Sequence, residues 1–249
     1  TINPLPTVTT VAPATVCYPS TVDLTASAVT TGSDSGLTYT YFTDSAATTV
    51  LTNPNAVTTS GTYYIKGTNA NGCSSIASVV VTINVTNAPT GTASQTFCGS
   101  ANLSQLVVTG SNIRWYNAAT GGTEYPASLW SLVGLVNGTT YYATQTVNGC
   151  ESTTRLAVTA VINTIPSAPN ASAQDFCSAP TVSQLLPNGS SINWYSASTG
   201  GTPLASTDIL SANTYYVSQT INGCESTRTP VTITITALPA PTGASTQTV

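Results

Sequence analysis

One motif recurs three times: Asn71-Gly72-Cys73, Asn148-Gly149-Cys150 and Asn222-Gly223-Cys224. Each copy follows a tyrosine pair, Tyr63-Tyr64, Tyr141-Tyr142 or Tyr215-Tyr216. An earlier aromatic pair precedes each of these: Tyr41-Phe42, Trp115-Tyr116 and Trp194-Tyr195. A further cysteine opens each repeat, at Cys17, Cys98 and Cys177. A period of about 75 residues, with two cysteines per repeat, describes a tandem array of small stapled domains and not one large core. Arrays of that kind act as spacers and adhesive stalks more often than as single-site enzymes.

The ends of the chain repeat its interior. Residues 240–249 copy residues 88–97, which run straight into Cys98, and residues 1–6 resemble residues 234–239. The expected division is therefore the end of a preceding repeat (1–6), three domains (7–87, 88–166 and 167–239) and the start of a following repeat (240–249). The expectation is of a window within a longer array. Its linkers, Asn87-Ala88-Pro89 and Ile165-Pro166-Ser167-Ala168-Pro169, are short and proline-containing, which favours extended, stiff joints.

Domains this small bury only about 60–65% of their unfolded surface, so each core is thin and a covalent staple helps. Each repeat has one early and one post-hairpin cysteine, so the expected pairs are Cys17–Cys73, Cys98–Cys150 and Cys177–Cys224. Each pair would close a loop of about 50 residues and stabilise its domain by roughly 3–4 kcal/mol on the chain-entropy account. Regular, even cysteines read as an oxidised, exported protein. Zinc is the rival reading. It fails because the chain has no His, no Cys-x-x-Cys and only two thiols per repeat.

Charge closes other routes. The only basic residues are Lys66, Arg114, Arg155 and Arg228, and the net charge is −4. Binding to nucleic acid or an anionic membrane needs clustered Lys and Arg, so neither is expected. No apolar run approaches the roughly 18 residues of a membrane-spanning helix, so no membrane insertion is expected in this segment. The surface must be built from Thr, Ser, Asn and Gly. A hydrophobic content of 41% and regularly spaced aromatics argue against disorder.

The second repeat shows the local pattern. Ile113 and Trp115 alternate with Arg114 and Tyr116, which is strand periodicity. Residues 119–123 read as a turn, and residues 139–147 as a strand rich in Tyr and Thr. Asn148-Gly149 fits a type I′ hairpin turn. Leu156, Val158, Ala160 and Ile162 then share one face. No stretch carries a sustained helical period. About seven short strands per repeat indicate an all-β chain of tandem antiparallel β-sandwiches. The placing of Trp and Tyr resembles an immunoglobulin-like domain, but the cysteines depart from that plan. They predict a staple between the opening strand and the final hairpin.

Trp115, Trp194 and the tyrosine pairs read as packing groups, with one ring of each pair inward. Trp130 differs. The stretch from Trp115 to Tyr141 in the second repeat is longer than its counterpart, Trp194 to Tyr215, in the third. The excess lies around Tyr125, Leu129 and Trp130, which makes these three a candidate contact surface. No catalytic set emerges, because there is no His and the eight acids are scattered. Glu151 and Glu225 are repeat-equivalent and read as structural, with Arg155 and Arg228 nearby. Calcium at the joints finds no Asp-x-Asp loop to support it. A single lysine, Lys66, limits Lys–Asn isopeptide cross-links to one domain at most. Thus no enzyme activity, metal or cofactor is expected.

Several strings carry a family likeness: Phe176-Cys177, Ile192-Asn193-Trp194-Tyr195-Ser196-Ala197-Ser198-Thr199-Gly200-Gly201-Thr202, and residues 214–226. Together they resemble the Ig-like repeats of giant Bacteroidota surface proteins, among them the gliding adhesins of the SprB type. The second repeat matches nearly as well. The first diverges, with Tyr41-Phe42 for Trp-Tyr and residues 44–49 for the Gly-Gly turn. The resemblance implies type IX secretion and an extracellular, outer-membrane-attached location. It also implies a substratum or polysaccharide bound by other parts of the parent, with gliding or secretion machinery as partners. Asp44-Ser45-Ala46 fits the pattern on which such bacteria attach O-glycans, making Ser45 the candidate site. The functional expectation is a structural stalk segment of a long adhesin filament; the alternative is a carbohydrate-binding array.

Overall fold

The computed structural model describes residues 3–189 and 191–237. These residues form strands and four short 3-10 turns, with no α-helix among them. In the first repeat the strands are β1 (Val16–Cys17), β2 (Thr38–Phe42), β3 (Gly61–Thr68), β4 (Ser74–Val81) and β5 (Ile83–Asn84). The second contributes β6 (Ser94–Cys98), β7 (Arg114–Tyr116), β8 (Glu124–Tyr125), β9 (Thr140–Thr144), β10 (Thr146–Val147), β11 (Cys150–Glu151) and β12 (Leu156–Asn163). The third contributes β13 (Gln174–Phe176), β14 (Ile192–Tyr195), β15 (Asn213–Ile221), β16 (Cys224–Glu225) and β17 (Thr229–Ile235). The expected start of a following repeat, 240–249, lies outside the described residues.

Each repeat is built on one plan. The sheets run β2-β3-β4 in the first, β6-β12-β9-β7-β8 in the second and β13-β17-β15-β14 in the third. The aromatic pairs lie on β2, β7 and β14, and the tyrosine pairs on β3, β9 and β15. In β3 the alternation puts Tyr63 and Ile65 inward, opposite Val79 and Ala77 of β4. In all three pairs the first tyrosine is buried (Tyr63, Tyr141 and Tyr215) and the second is half-buried. The first repeat's core gathers Val22, Leu24, Ile65, Val79 and Val81. The third gathers Leu185, Trp194, Val217, Val231 and Ile233. Each such side chain contributes about 1.5–3 kcal/mol by leaving water.

The opening strand departs from the antiparallel rule, and this positions the site. β1 pairs in parallel with β5, setting Cys17 opposite Asn84. β13 pairs in parallel with β17, setting Phe176 opposite Ile235. An opening cysteine therefore stands where the last strand of its own repeat ends. The hairpin cysteine stands at the other end. Asn213, at the start of β15, lies opposite Ile233, so the far end of β15 and its turn lie beyond the start of β17. The nine residues of β15 separate the two levels, about 30 Å at the usual rise.

The chain falls into two compact units. One holds the chain up to Ser94 with Ser104–Leu132 and Thr140–Thr159. The other holds Gln95–Leu103, Val133–Thr139 and the chain from Ala160 onward.

Candidate functional site

The cysteines do not pair within repeats. Cys17 is bonded to Cys150 and Cys98 to Cys224, with Cα–Cα distances of 5.3 and 5.5 Å. Cys73 and Cys177 are free thiols, half-buried and exposed respectively. This corrects the expected pairs Cys17–Cys73, Cys98–Cys150 and Cys177–Cys224. The reason is the parallel opening strand. A disulfide needs Cα atoms within about 7 Å, and opposite ends of one sheet cannot meet that. Each bond instead joins an opening cysteine to the hairpin cysteine of the next repeat, and each lies inside a single compact unit.

The two stapled joints share a geometry. The hairpin turns have left-handed backbone at Asn148 and Gly149 (φ 49° and 78°) and at Asn222 and Gly223 (φ 51° and 79°). That is the type I′ form the sequence predicts, and Asn-Gly is the dipeptide that tolerates it. The glycine carbonyl then faces the opening cysteine: Cys17 Sγ is 3.9 Å from Gly149 O, and Cys98 Sγ is 3.8 Å from Gly223 O. Asn163, the last residue of β12, donates from Nδ2 to Asn222 O at 2.8 Å. The first repeat turns differently. Asn69 accepts at Oδ1 from the amides of Asn71 and Cys73, both at 3.0 Å.

The linkers are tied by a glutamine that the sequence reading passed over. Gln145 donates from Nε2 to the carbonyls of Asn87 (3.0 Å) and Ala88 (3.4 Å). Gln219, its repeat equivalent, donates to Ser167 O at 2.7 Å. Their amides are held by Ser152 and Ser226, both buried. The available signal was the matching Gln-to-Cys spacing in the second and third repeats.

Glu151 and Glu225 sit in matching clusters beside these hairpins. Glu151 Oε1 accepts from Tyr116 and Thr144, both at 2.6 Å, and Arg114 lies 3.7 Å away. Arg155 stacks 3.6 Å over Tyr116 and donates to Ala118 O and Gly121 O. In the third repeat Arg228 stacks 3.2 Å over Tyr195 and donates to Ala197 O and Gly200 O, both at 2.8 Å. Ser218 donates to Glu225. Burial pushes Glu151 up, but the hydrogen bonds from Thr144 and Tyr116 and the nearby arginines outweigh it and hold the carboxyl below its usual value. The Ser218 hydroxyl lowers Glu225 in the same way, against a smaller opposing effect of burial. The carboxylates are thus held by hydroxyls of the neighbouring strands, while Arg155 and Arg228 tie down the Gly-Gly turns. Arg155→Lys replaces a planar stacked cation with a point charge. It is expected to cost about 1–2 kcal/mol, the scale of a partly desolvated cation–π contact and a hydrogen bond. Urea unfolding of the variant beside Arg228→Lys checks this; two unchanged midpoints would remove the role.

The first repeat solves its turn with one carboxylate. Asp44 accepts from the backbone amides of Ala46, Thr48 and Thr49, and Ser45 at the tip is exposed. Hydrogen bonds led by the Thr49 amide depress the Asp44 carboxyl. The insertion of the second repeat folds on itself. Trp130 Nε1 donates to Tyr125 O at 2.7 Å, and the Tyr125 ring lies 6.0 Å from that of Tyr141. Leu129 and Leu132 are left 44% and 77% exposed. Among the described residues no group of three His, Cys, Asp or Glu side chains converges as a metal site, and no helix is long and apolar enough to cross a membrane.

The family described as "Ig-like domain CHU_C associated" matches residues 4–86, 87–163 and 166–237. The chain belongs to this family. No curated protein matches it. Solved structures match it at low identity. "Sidekick-1 immunoglobulin domains 1-5" is 14% identical, with 90% of this chain and 58% of that chain covered and a TM-score of 0.24. The insect immune protein hemolin is 11% identical, with 93% and 77% covered and a TM-score of 0.27. A Bacteroides ovatus protein, SGBP-B of a mixed-linkage glucan utilization locus, solved with a mixed-linkage heptasaccharide, is 16% identical, with 94% and 71% covered and a TM-score of 0.22. The chain thus spans under two thirds of the length of the Sidekick-1 fragment.

Proposed function

We propose that this chain is a load-bearing stalk segment of a long extracellular adhesin, of the kind exported by type IX secretion and used in gliding or surface attachment by SprB-type proteins. The observation that carries the reading is the overlap of the two disulfides. The loop from Cys17 to Cys150 and the loop from Cys98 to Cys224 share residues 98–150, so three sequence repeats are locked into one covalent chain of links. Such bonds persist in oxidising settings outside the cell. The working division is 7–87, 88–166 and 167–239, with adhesion to a substratum or polysaccharide left to other parts of the parent. Ser45 is the proposed glycan attachment point, and Tyr125, Leu129 and Trp130 form the face for lateral contact. The test is a glycan array probed with the oxidised chain. A stalk gives no saturable signal; selective, saturable binding to one polysaccharide class would replace this reading with a carbohydrate-binding array.

A further inference from the structure

The two free thiols occupy the same repeat positions as the four bonded ones. Cys73 follows the first hairpin, as Cys150 and Cys224 follow theirs, and both of these are bonded to an opening cysteine. Cys177 directly follows β13, as Cys17 and Cys98 end β1 and β6, and both of those are bonded to a hairpin cysteine. The surroundings match as well. Cys224 Sγ lies 4.0 Å from the carbonyl of Asn163, where the last strand of the preceding repeat ends. Cys73 Sγ lies 3.9 Å from the carbonyl of Asn3. Asn3 follows Ile2 as Asn163 follows Ile162 and Asn84 follows Ile83. Cys73 thus lies against an asparagine whose sequence context matches that of Asn163 and Asn84, which end the last strands of their repeats. Asn69 adds a tie there, donating from Nδ2 to Pro4 O at 3.3 Å. At the bonded joint Asn163 also ties across to the hairpin, at Asn222, with the donor and acceptor sides exchanged.

We infer that Cys73 and Cys177 are the two halves of one further joint: Cys73 accepts the opening cysteine of a repeat seated before it, and Cys177 accepts the hairpin cysteine of a repeat seated after it. The partner is another Ig-like repeat of this kind, placed head to tail. In the bonding step two thiols lose two protons and two electrons to a disulfide oxidant, which leaves as two thiols. This rests on the stalk reading only for its use and not for its chemistry. The mechanical gain is specific. With Cys177 bonded onward, a load entering at Cys17 crosses to Cys150 and needs only the segment from Cys150 to Cys177 to reach the next bond. Two repeats then lengthen by about 90 Å at most, at roughly 3.4 Å per residue of that segment.

The experiment uses the full chain as Cys73→Ser and Cys177→Ser variants, each alone and mixed, with oxidised glutathione as the oxidant. The expected result is a disulfide-linked dimer only in the mixture, with peptide mapping recovering Cys177 bonded to Cys73. A tandem fusion of two copies raises the effective concentration to about millimolar, and the same cross-copy bond is expected there. Dimers formed equally by either variant alone, or a fusion whose Cys177 of the first copy and Cys73 of the second stay free or glutathionylated, would overturn the proposal. Glycan binding on the array leaves this outcome untouched, so the two readings fail separately.

Discussion

Pulled from its two ends, the reduced chain is expected to extend about 530 Å further than the oxidised chain, at roughly 3.4 Å for each residue released. The figure follows from the path of the load. Force entering at Cys17 crosses to Cys150, runs back along the chain to Cys98, and crosses to Cys224. Without the bonds the whole run from Cys17 to Cys224 carries the load in place of the run from Cys98 to Cys150, so about 155 more residues can extend. Intra-repeat pairs would lock the same total, so the total alone does not discriminate. Single substitutions do. Cys73→Ser is expected to leave the oxidised length unchanged, because Cys73 bears no load. Cys150→Ser is expected to shift the load to the longer run from Cys17 to Cys98, a gain of about 29 residues or about 100 Å. Single-molecule pulling reads these increments directly. A gain of about 190 Å for Cys73→Ser, the run from Cys17 to Cys73 at the same length per residue, would restore the intra-repeat pairing and remove the staggered one.

The fold was legible because its signals are local. Alternation along β3, β12 and β15, an inward Trp on β7 and β14, and Asn-Gly at two hairpins all follow from the period-2 pleat and from turn chemistry. The cysteine pairing was not legible for a reason equally physical. An array offers each opening cysteine more than one hairpin cysteine. Loop-closure cost grows only slowly with length, so closing Cys17 onto Cys73 or onto Cys150 differs by less than about 1 kcal/mol, too little to choose between them. What decides is the direction of a short opening strand, two, five and three residues long in the successive repeats. Nothing in Val16-Cys17 or Gln174-Asp175-Phe176 distinguishes a parallel from an antiparallel edge. The arginine clusters were half legible: repetition placed Glu151 with Arg155 and Glu225 with Arg228, while the stacking on Tyr116 and Tyr195 needed the sheet register. Gln145 and Gln219 were missed because a glutamine between two strands looks like any exposed polar residue until its linker partner is seen.

The heaviest single penalty should fall at Trp115. It is 2% exposed, on a three-residue strand between β8 and β9, opposite Tyr125 and Ala143. Trp115→Ala removes the largest fully buried side chain and leaves a cavity that short strands with thin packing cannot close, a loss of about 3–5 kcal/mol. A domain of this size has only about 5–15 kcal/mol to lose. The second repeat also supplies one cysteine to each disulfide, Cys98 and Cys150, so its loosening frees the segment that all of the load crosses. Trp130→Ala is the control. That side chain is half-buried and its Nε1 makes one hydrogen bond, to Tyr125 O, so its loss is expected to cost about 1–2 kcal/mol. Urea unfolding followed by circular dichroism ranks the two. A Trp130→Ala midpoint at or below that of Trp115→Ala would mean that the insertion, and not the aromatic on β7, holds the second repeat together.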